Sequence, residues 1–143
     1  MSNKATRKFR QHLYSYDEIF SRVREVLVCC LAVDSEKVTL EARLVHDLNC
    51  ESIDRLDITF QMEKAFDINL PKGEFMDIMD GRFAHPEMMA NGKLTEKGVT
   101  LLRNTVPYMD ISEFESNPVV NNFYDIITVK MVVEYIYWKQ QQV

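Results

Sequence analysis

The chain has little of what punctuates, cross-links or arms a fold. Its 143 residues include only four Gly, four Pro, three Cys and one Trp. Gly73, Gly81, Gly92 and Gly98 stand apart, so no Gly-rich loop is present to cradle a phosphate chain. There is no Gly-x-Ser-x-Gly elbow and no His-Glu-x-x-His pattern, which removes two common hydrolase signatures. Cys29, Cys30 and Cys50 cannot all pair, and adjacent cysteines in a helical pattern suit neither a disulfide nor a metal site. Reduced thiols in a cytoplasmic protein are expected. His12, His46 and His85 are scattered and add no metal-ligand spacing. Basic residues are the minority, 17 against 22 acidic, and a net charge of −5 argues against a broad nucleic-acid surface. No long apolar run occurs, so neither secretion nor stable membrane insertion is expected.

What remains is a chain with 46% apolar residues, enough for a packed core, at a length that suits one domain. Lys4, Arg7, Lys8 and Arg10 lie in an N-terminal stretch without acidic residues, and residues 1–14 are expected to be a flexible basic tail. Ser15 with Glu18 forms a capping-box pattern, after which Ile19, Val23, Val26, Leu27 and Cys30 recur at helical spacing. The connection from Ala32 to Glu51 carries Val38, Leu40, Leu44 and Leu48, spaced to pin an irregular segment to a core.

A second helix is predicted from Ser52 to Phe66, with Leu56, Thr59, Met62, Ala65 and Phe66 inward and Ile58 on a flank. Ile53, Asp54, Asp57 and Phe60 fall on another face, an apolar pair framed by carboxylates that suits a basic partner. Further on, short helical pieces are predicted at Gly73–Met79 and from Pro86 to Ala90, the latter ended by Asn91-Gly92. Thr95 is placed as the cap of a helix from Glu96 to about Asn104, with Val99 and Leu102 inward. Asp110 with Glu113 resembles another capping box, opening a turn through Phe114. A last helix, Thr128 to Gln140, presents Val129, Val132, Val133, Ile136 and Tyr137 to the bundle. The periodicity throughout is helical, and a small all-α bundle is predicted.

Carboxylates are plentiful but lie in solvated segments, and nothing supplies a nucleophile, base and oriented electrophile together. An enzyme is not expected. Ser52 stands out by position, at the opening of the second helix, as an N-cap or first-turn residue with an accessible hydroxyl. A phosphodiester there would meet unpaired backbone amides and the positive end of the helix dipole.

The run Leu44-Val45-His46-Asp47-Leu48-Asn49-Cys50-Glu51-Ser52-Ile53-Asp54-Arg55-Leu56-Asp57 resembles the modification motif of acyl carrier proteins. Met62-Glu63-Lys64-Ala65-Phe66-Asp67-Ile68-Asn69-Leu70-Pro71 is similar to the family's helix end and turn, and Asp125 to Ile136 to the start of its last helix. The similar parts cover residues 15–71 and 123–140.

The resemblance implies an acyl-carrier-like four-helix bundle and a shuttle. A separate phosphopantetheinyl transferase would move 4′-phosphopantetheine from coenzyme A onto Ser52 in a magnesium-dependent step, and the arm's thiol would hold an acyl group as a thioester. Shallow burial of a fatty chain in the bundle would stabilise it by about 0.8 kcal/mol per methylene. Glu51, Asp54, Asp57 and Glu63 would meet basic patches on fatty-acid or specialised lipid biosynthetic enzymes, with Ile53 and Phe60 as apolar contacts. Residues 34–80 hold 12 acidic and 5 basic groups, a local −7 suited to steering toward such partners.

Several features depart from the family. Glu51 and Ile53 replace the usual Asp and Leu around the serine, and Arg55 and Lys64 dilute the acidic face. Ordinary members are near half this length, so residues 15–143 are read as one domain with additional short helices in an insertion at about 72–122. A monomer is expected. The alternatives are a helical interaction module without an arm, a carrier for polyketide-like metabolism, and a small hydrolase using Ser52 and His46.

Overall fold

The computed structural model describes residues 13–68, 89–105, 109–119 and 123–142. Helix α1 spans Tyr16–Leu31. Ser15 caps it as predicted: its hydroxyl accepts from the Glu18 N–H at 3.2 Å, and Glu18 accepts from the Ser15 N–H at 2.9 Å. The helix ends at Ala32 in the left-handed region (φ 55°), whose N–H returns to the Val28 carbonyl. Its core face is Ile19, Val23, Val26 and Leu27. Helix α2 spans Ser52–Phe66 and closes at Asp67, also left-handed. Helix α5, Val129–Lys139, completes the main packing, with α1 lying against both α2 and α5.

The connection between α1 and α2 is ordered although it holds only one short 3-10 turn, Ser35–Lys37. Val38, Leu44 and Leu48 are buried, and Leu40 packs at the margin of the core. This segment also completes α5. The first amides of a helix have no partner within it. Here Val129 N–H donates to Ala42 O and Lys130 N–H to Leu40 O, both at 2.9 Å. Thr128 Oγ1 accepts from Met131 N–H at 3.2 Å. Leu44 N–H in turn reaches Ile127 O, and Arg43 pairs with Thr128 as an isolated antiparallel bridge. The loop leading to Ser52 is thereby sewn to the start of the last helix.

Between α2 and α5 lie a two-stranded ribbon, β1 (Met89–Ala90) and β2 (Lys93–Leu94), helix α3 (Glu96–Thr105), helix α4 (Ser112–Ser116) and a 3-10 turn, Tyr124–Ile126. Leu94, Leu102, Met109, Ile111, Phe114 and Phe123 join the same buried cluster as the main helices. Phe114 meets Phe123 edge to face at 5.1 Å. Thr95 caps α3, its hydroxyl accepting from Gly98 N–H at 3.2 Å. The architecture is all-α, a helical bundle with additional short helices.

Four local expectations change. Met89 and Ala90 form a strand, where a helical piece was predicted, because Asn91 and Gly92 both have positive φ (55° and 80°) and turn the chain into a tight hairpin. Asp110 does not enter a capping box with Glu113; its carboxylate accepts from both the N–H and the hydroxyl of Ser112. On α5, Tyr137 is 40% exposed and Tyr135 is fully buried, so the covering arc is rotated toward Tyr135. Tyr14, assigned to the tail, is fastened: the Gln140 side-chain amide accepts from its N–H at 3.0 Å and donates to its carbonyl at 2.8 Å. Its ring meets Phe66 at 5.4 Å, beneath the Arg22 guanidinium, which also donates to Ala65 O. The remaining tail, residues 1–12, and the predicted helical piece at Gly73–Met79 lie outside the described residues, as does Pro86.

Candidate functional site

The approach to Ser52 is a turn built on Arg43. Arg43 O accepts from the N–H groups of Asp47 (3.0 Å) and Leu48 (3.2 Å), and the Asp47 carboxylate accepts from Arg43 N–H at 2.8 Å. Asn49 takes a left-handed φ of 56°, and Cys50 N–H closes onto Leu44 O at 2.8 Å. Leu44, Leu48 and Cys50 point inward, while His46, Asp47, Asn49 and Glu51 remain exposed. This alternation fixes the direction in which the chain enters α2.

Glu51 is the N-cap and Ser52 the first helical residue. Glu51 N–H donates to Asp54 Oδ2 at 2.8 Å, and Asp54 N–H donates to Glu51 O at 2.9 Å. Ser52 is exposed, and no hydrogen bond to its hydroxyl forms among the described residues. Its own amide and that of Ile53 stand at the first two helical positions, where a helix has no internal acceptor. An exposed hydroxyl is therefore set beside open N–H groups at the positive end of a 15-residue helix.

The outer face of α2 is apolar over its middle. Ile53 is 79% exposed, Leu56 65% and Phe60 55%. Their spacing of three and four residues aligns them as one stripe. Asp57 borders it on one side and Glu63 on the other, while Lys64 sits over the Phe60 ring at 5.3 Å. Asp54 is half-buried and turned to the cap. Leu56, predicted inward, belongs to the exposed stripe, and Ile58, predicted on a flank, is buried at the centre beside Thr59, Met62 and Phe66. The physical reason is register: the buried positions 58, 59, 62 and 66 centre about 100° around the helix from residue 56, which leaves Leu56 at the edge of the exposed side.

Of the three thiols, Cys29 is exposed on α1, while Cys50 and Cys30 are poorly placed to act as acyl acceptors. Cys50 is buried, its sulfur directed at Glu51 O at 3.8 Å. Burial pushes the Cys30 thiol up to about 12, helped by its hydrogen bond to the Asp57 carboxylate, so it is protonated at neutral pH. His46 is exposed on the turn. Among the described residues no helix is long and apolar enough to cross a membrane.

No family model matches the chain, and no solved structure matches it. Curated proteins do. The acyl carrier protein of Borrelia garinii subsp. bavariensis is 38% identical over 58 residues, which are 41% of this chain and 72% of the relative. That of Petrotoga mobilis is 36% identical over 62 residues, 43% of this chain and 73% of the relative. That of Amoebophilus asiaticus is 40% identical over 57 residues, 40% of this chain and 71% of the relative. One matched stretch fills most of each relative but less than half of this chain, so the relatives are much shorter. With identity at this level over more than two thirds of each, the chain belongs to the acyl carrier protein family.

Proposed function

We propose that this protein carries acyl groups as thioesters on a 4′-phosphopantetheine arm joined to Ser52 and delivers them to fatty-acid or specialised lipid biosynthetic enzymes. One observation carries the reading: an exposed serine hydroxyl stands at the first position of a long helix, beside two open amides, on a turn whose every bend is hydrogen-bonded. The residues fit the group. Ser52 would supply the oxygen of the phosphodiester, and the Ser52 and Ile53 amides at the helix start would favour its charge. The arm, when attached, supplies a thiol that holds an acyl group as a thioester. Members of this family are typically non-catalytic carriers, so in this reading partner enzymes make and break that ester.

The partner face in this reading is the stripe of Ile53, Leu56 and Phe60 with Glu51, Asp54, Asp57 and Glu63 around it. Exposed apolar side chains at helical spacing, rimmed by carboxylates, suit shallow contact with an apolar patch ringed by Arg and Lys. The working unit is one domain over residues 15–143, with the stretch at about 72–122 as an addition to the carrier body, acting as a monomer in the cytoplasm.

Intact mass spectrometry tests the assignment. Incubation with coenzyme A, magnesium and a broad-specificity phosphopantetheinyl transferase is expected to add one 4′-phosphopantetheinyl group to the wild type and none to Ser52→Ala. A wild-type mass unchanged with several competent transferases would return the chain to the alternative of a helical interaction module.

A further inference from the structure

We infer that Arg43 and Glu113 position the turn that presents Ser52, so that α4, in the stretch between α2 and α5, takes part in presenting the serine. The inference deepens the Ser52 reading above. Arg43 is engaged through its amide, its carbonyl and its guanidinium. Its N–H holds the Asp47 carboxylate, its carbonyl holds the Asp47 and Leu48 amides, and its backbone bridges to Thr128 at the start of α5. Its guanidinium Nη2 reaches both carboxylate oxygens of Glu113, at 2.9 and 3.2 Å. Glu113 lies on α4, whose next residue, Phe114, is anchored in the core against Phe123. The pair thus ties a fixed point on α4 to the residue whose carbonyl and amide hold Asp47 and Leu48 in the 43–50 turn.

Both side chains are in reach of solvent, Arg43 at 34% and Glu113 at 68% exposure. Such a pair contributes little to global stability. Its effect is local: without it the guanidinium no longer restrains the residue whose carbonyl and amide define the turn. Arg43 and Glu113 are accordingly positioning residues for the modification of Ser52.

The test uses the full chain in four forms: wild type, Glu113→Gln, Arg43→Glu, and the reversed pair Arg43→Glu with Glu113→Arg. Hydrogen exchange is followed at the amides of Leu44, Asp47, Leu48, Asn49 and Cys50. The two single variants are expected to exchange roughly two- to five-fold faster there, with α1 and α5 unchanged, as the loss of one exposed pair allows. The reversed pair is expected to recover most of the protection, and the wild type to approach Glu113→Gln at about 0.5 M salt, where screening is short-ranged. Transferase kinetics are expected to show a similar rise in KM for the single variants, with kcat and thermal midpoint held. Unchanged exchange at the five amides in Glu113→Gln, or no recovery in the reversed pair, would overturn the inference. Exchange that responds as expected in a protein that accepts no arm would support the Arg43–Glu113 coupling while removing the Ser52 reading.

Discussion

Helices α1 and α2 are almost the same length, 16 and 15 residues, and both contribute four residues to the core. They differ on the side turned to water. Outside its buried face, α1 is mostly polar or charged: Asp17, Glu18, Ser21, Arg22 and Glu25 are exposed. On α2 the solvent side carries Ile53, Leu56 and Phe60 in line. A helix built only to pack concentrates its apolar residues on one stripe. A second stripe, opposite the core, adds nothing to folding and leaves apolar surface in water. That surplus on α2, beside Ser52, is the observation on which the proposed docking face rests.

The strongest way to break this contrast is to alter the serine. Ser52→Ala is expected to abolish the mass gain with coenzyme A and transferase completely, while urea unfolding stays as in the wild type, because the hydroxyl holds nothing in the fold. Next come the inner faces. Phe66→Ala is expected to cost about 3–5 kcal/mol and Leu27→Ala about 2–5 kcal/mol in urea unfolding, since both are buried and leave cavities. The outer stripe should separate cleanly from these. Leu56→Ala is expected to change stability by no more than about 0.5 kcal/mol, yet to raise the transferase or partner-enzyme KM several-fold. If Leu56→Ala unfolds as readily as Leu27→Ala, the two-sided account of α2 is wrong.

Smaller effects sharpen the contrast at the ends and along the seam. Ser15→Ala removes one half of the α1 cap and is expected to cost about 1 kcal/mol. The seam between the helices holds Cys30 of α1 against the Asp57 carboxylate of α2. Its thiol is raised in the fold, so the unfolded chain loses that proton first as pH rises. Stability from this group is fully present below the ordinary thiol value of about 8.5 and is lost on the way up to about 12. Cys30→Ala is expected to show a shallower decline of the urea midpoint over that window than the wild type.

Helix ends were the most legible part of the fold. Ser15 with Glu18 and Thr95 before Glu96 announce caps by local chemistry and each is found satisfying an orphan amide, whereas Thr128, expected as the first residue of the last helix, is its cap. The place of Ser52 at the exposed opening of α2 could also be read, because it rests on position in a short motif. Leu56 and Ile58 could not be sorted by composition, as α2 has apolar residues on two faces and only the packing of α1 decides which is inside. The spacing 53, 56, 60 was the available signal. The ribbon at Met89–Leu94 was a misreading of Asn91-Gly92, which ends helices but also favours the tight turn of a hairpin. Nor does any periodicity announce that Leu40 and Ala42 complete α5; such carbonyls find their amides only once distant segments meet.

Gln140 grips the backbone of Tyr14 on both edges across 126 positions of sequence. A ribosome releases the two halves of that clasp 126 residues apart, so α1 waits for its seal until α5 has emerged. Premature termination anywhere before Gln140 leaves the Tyr14 peptide group without its amide partner. The body around the Ser52 helix therefore takes its last seal at the entrance to α1.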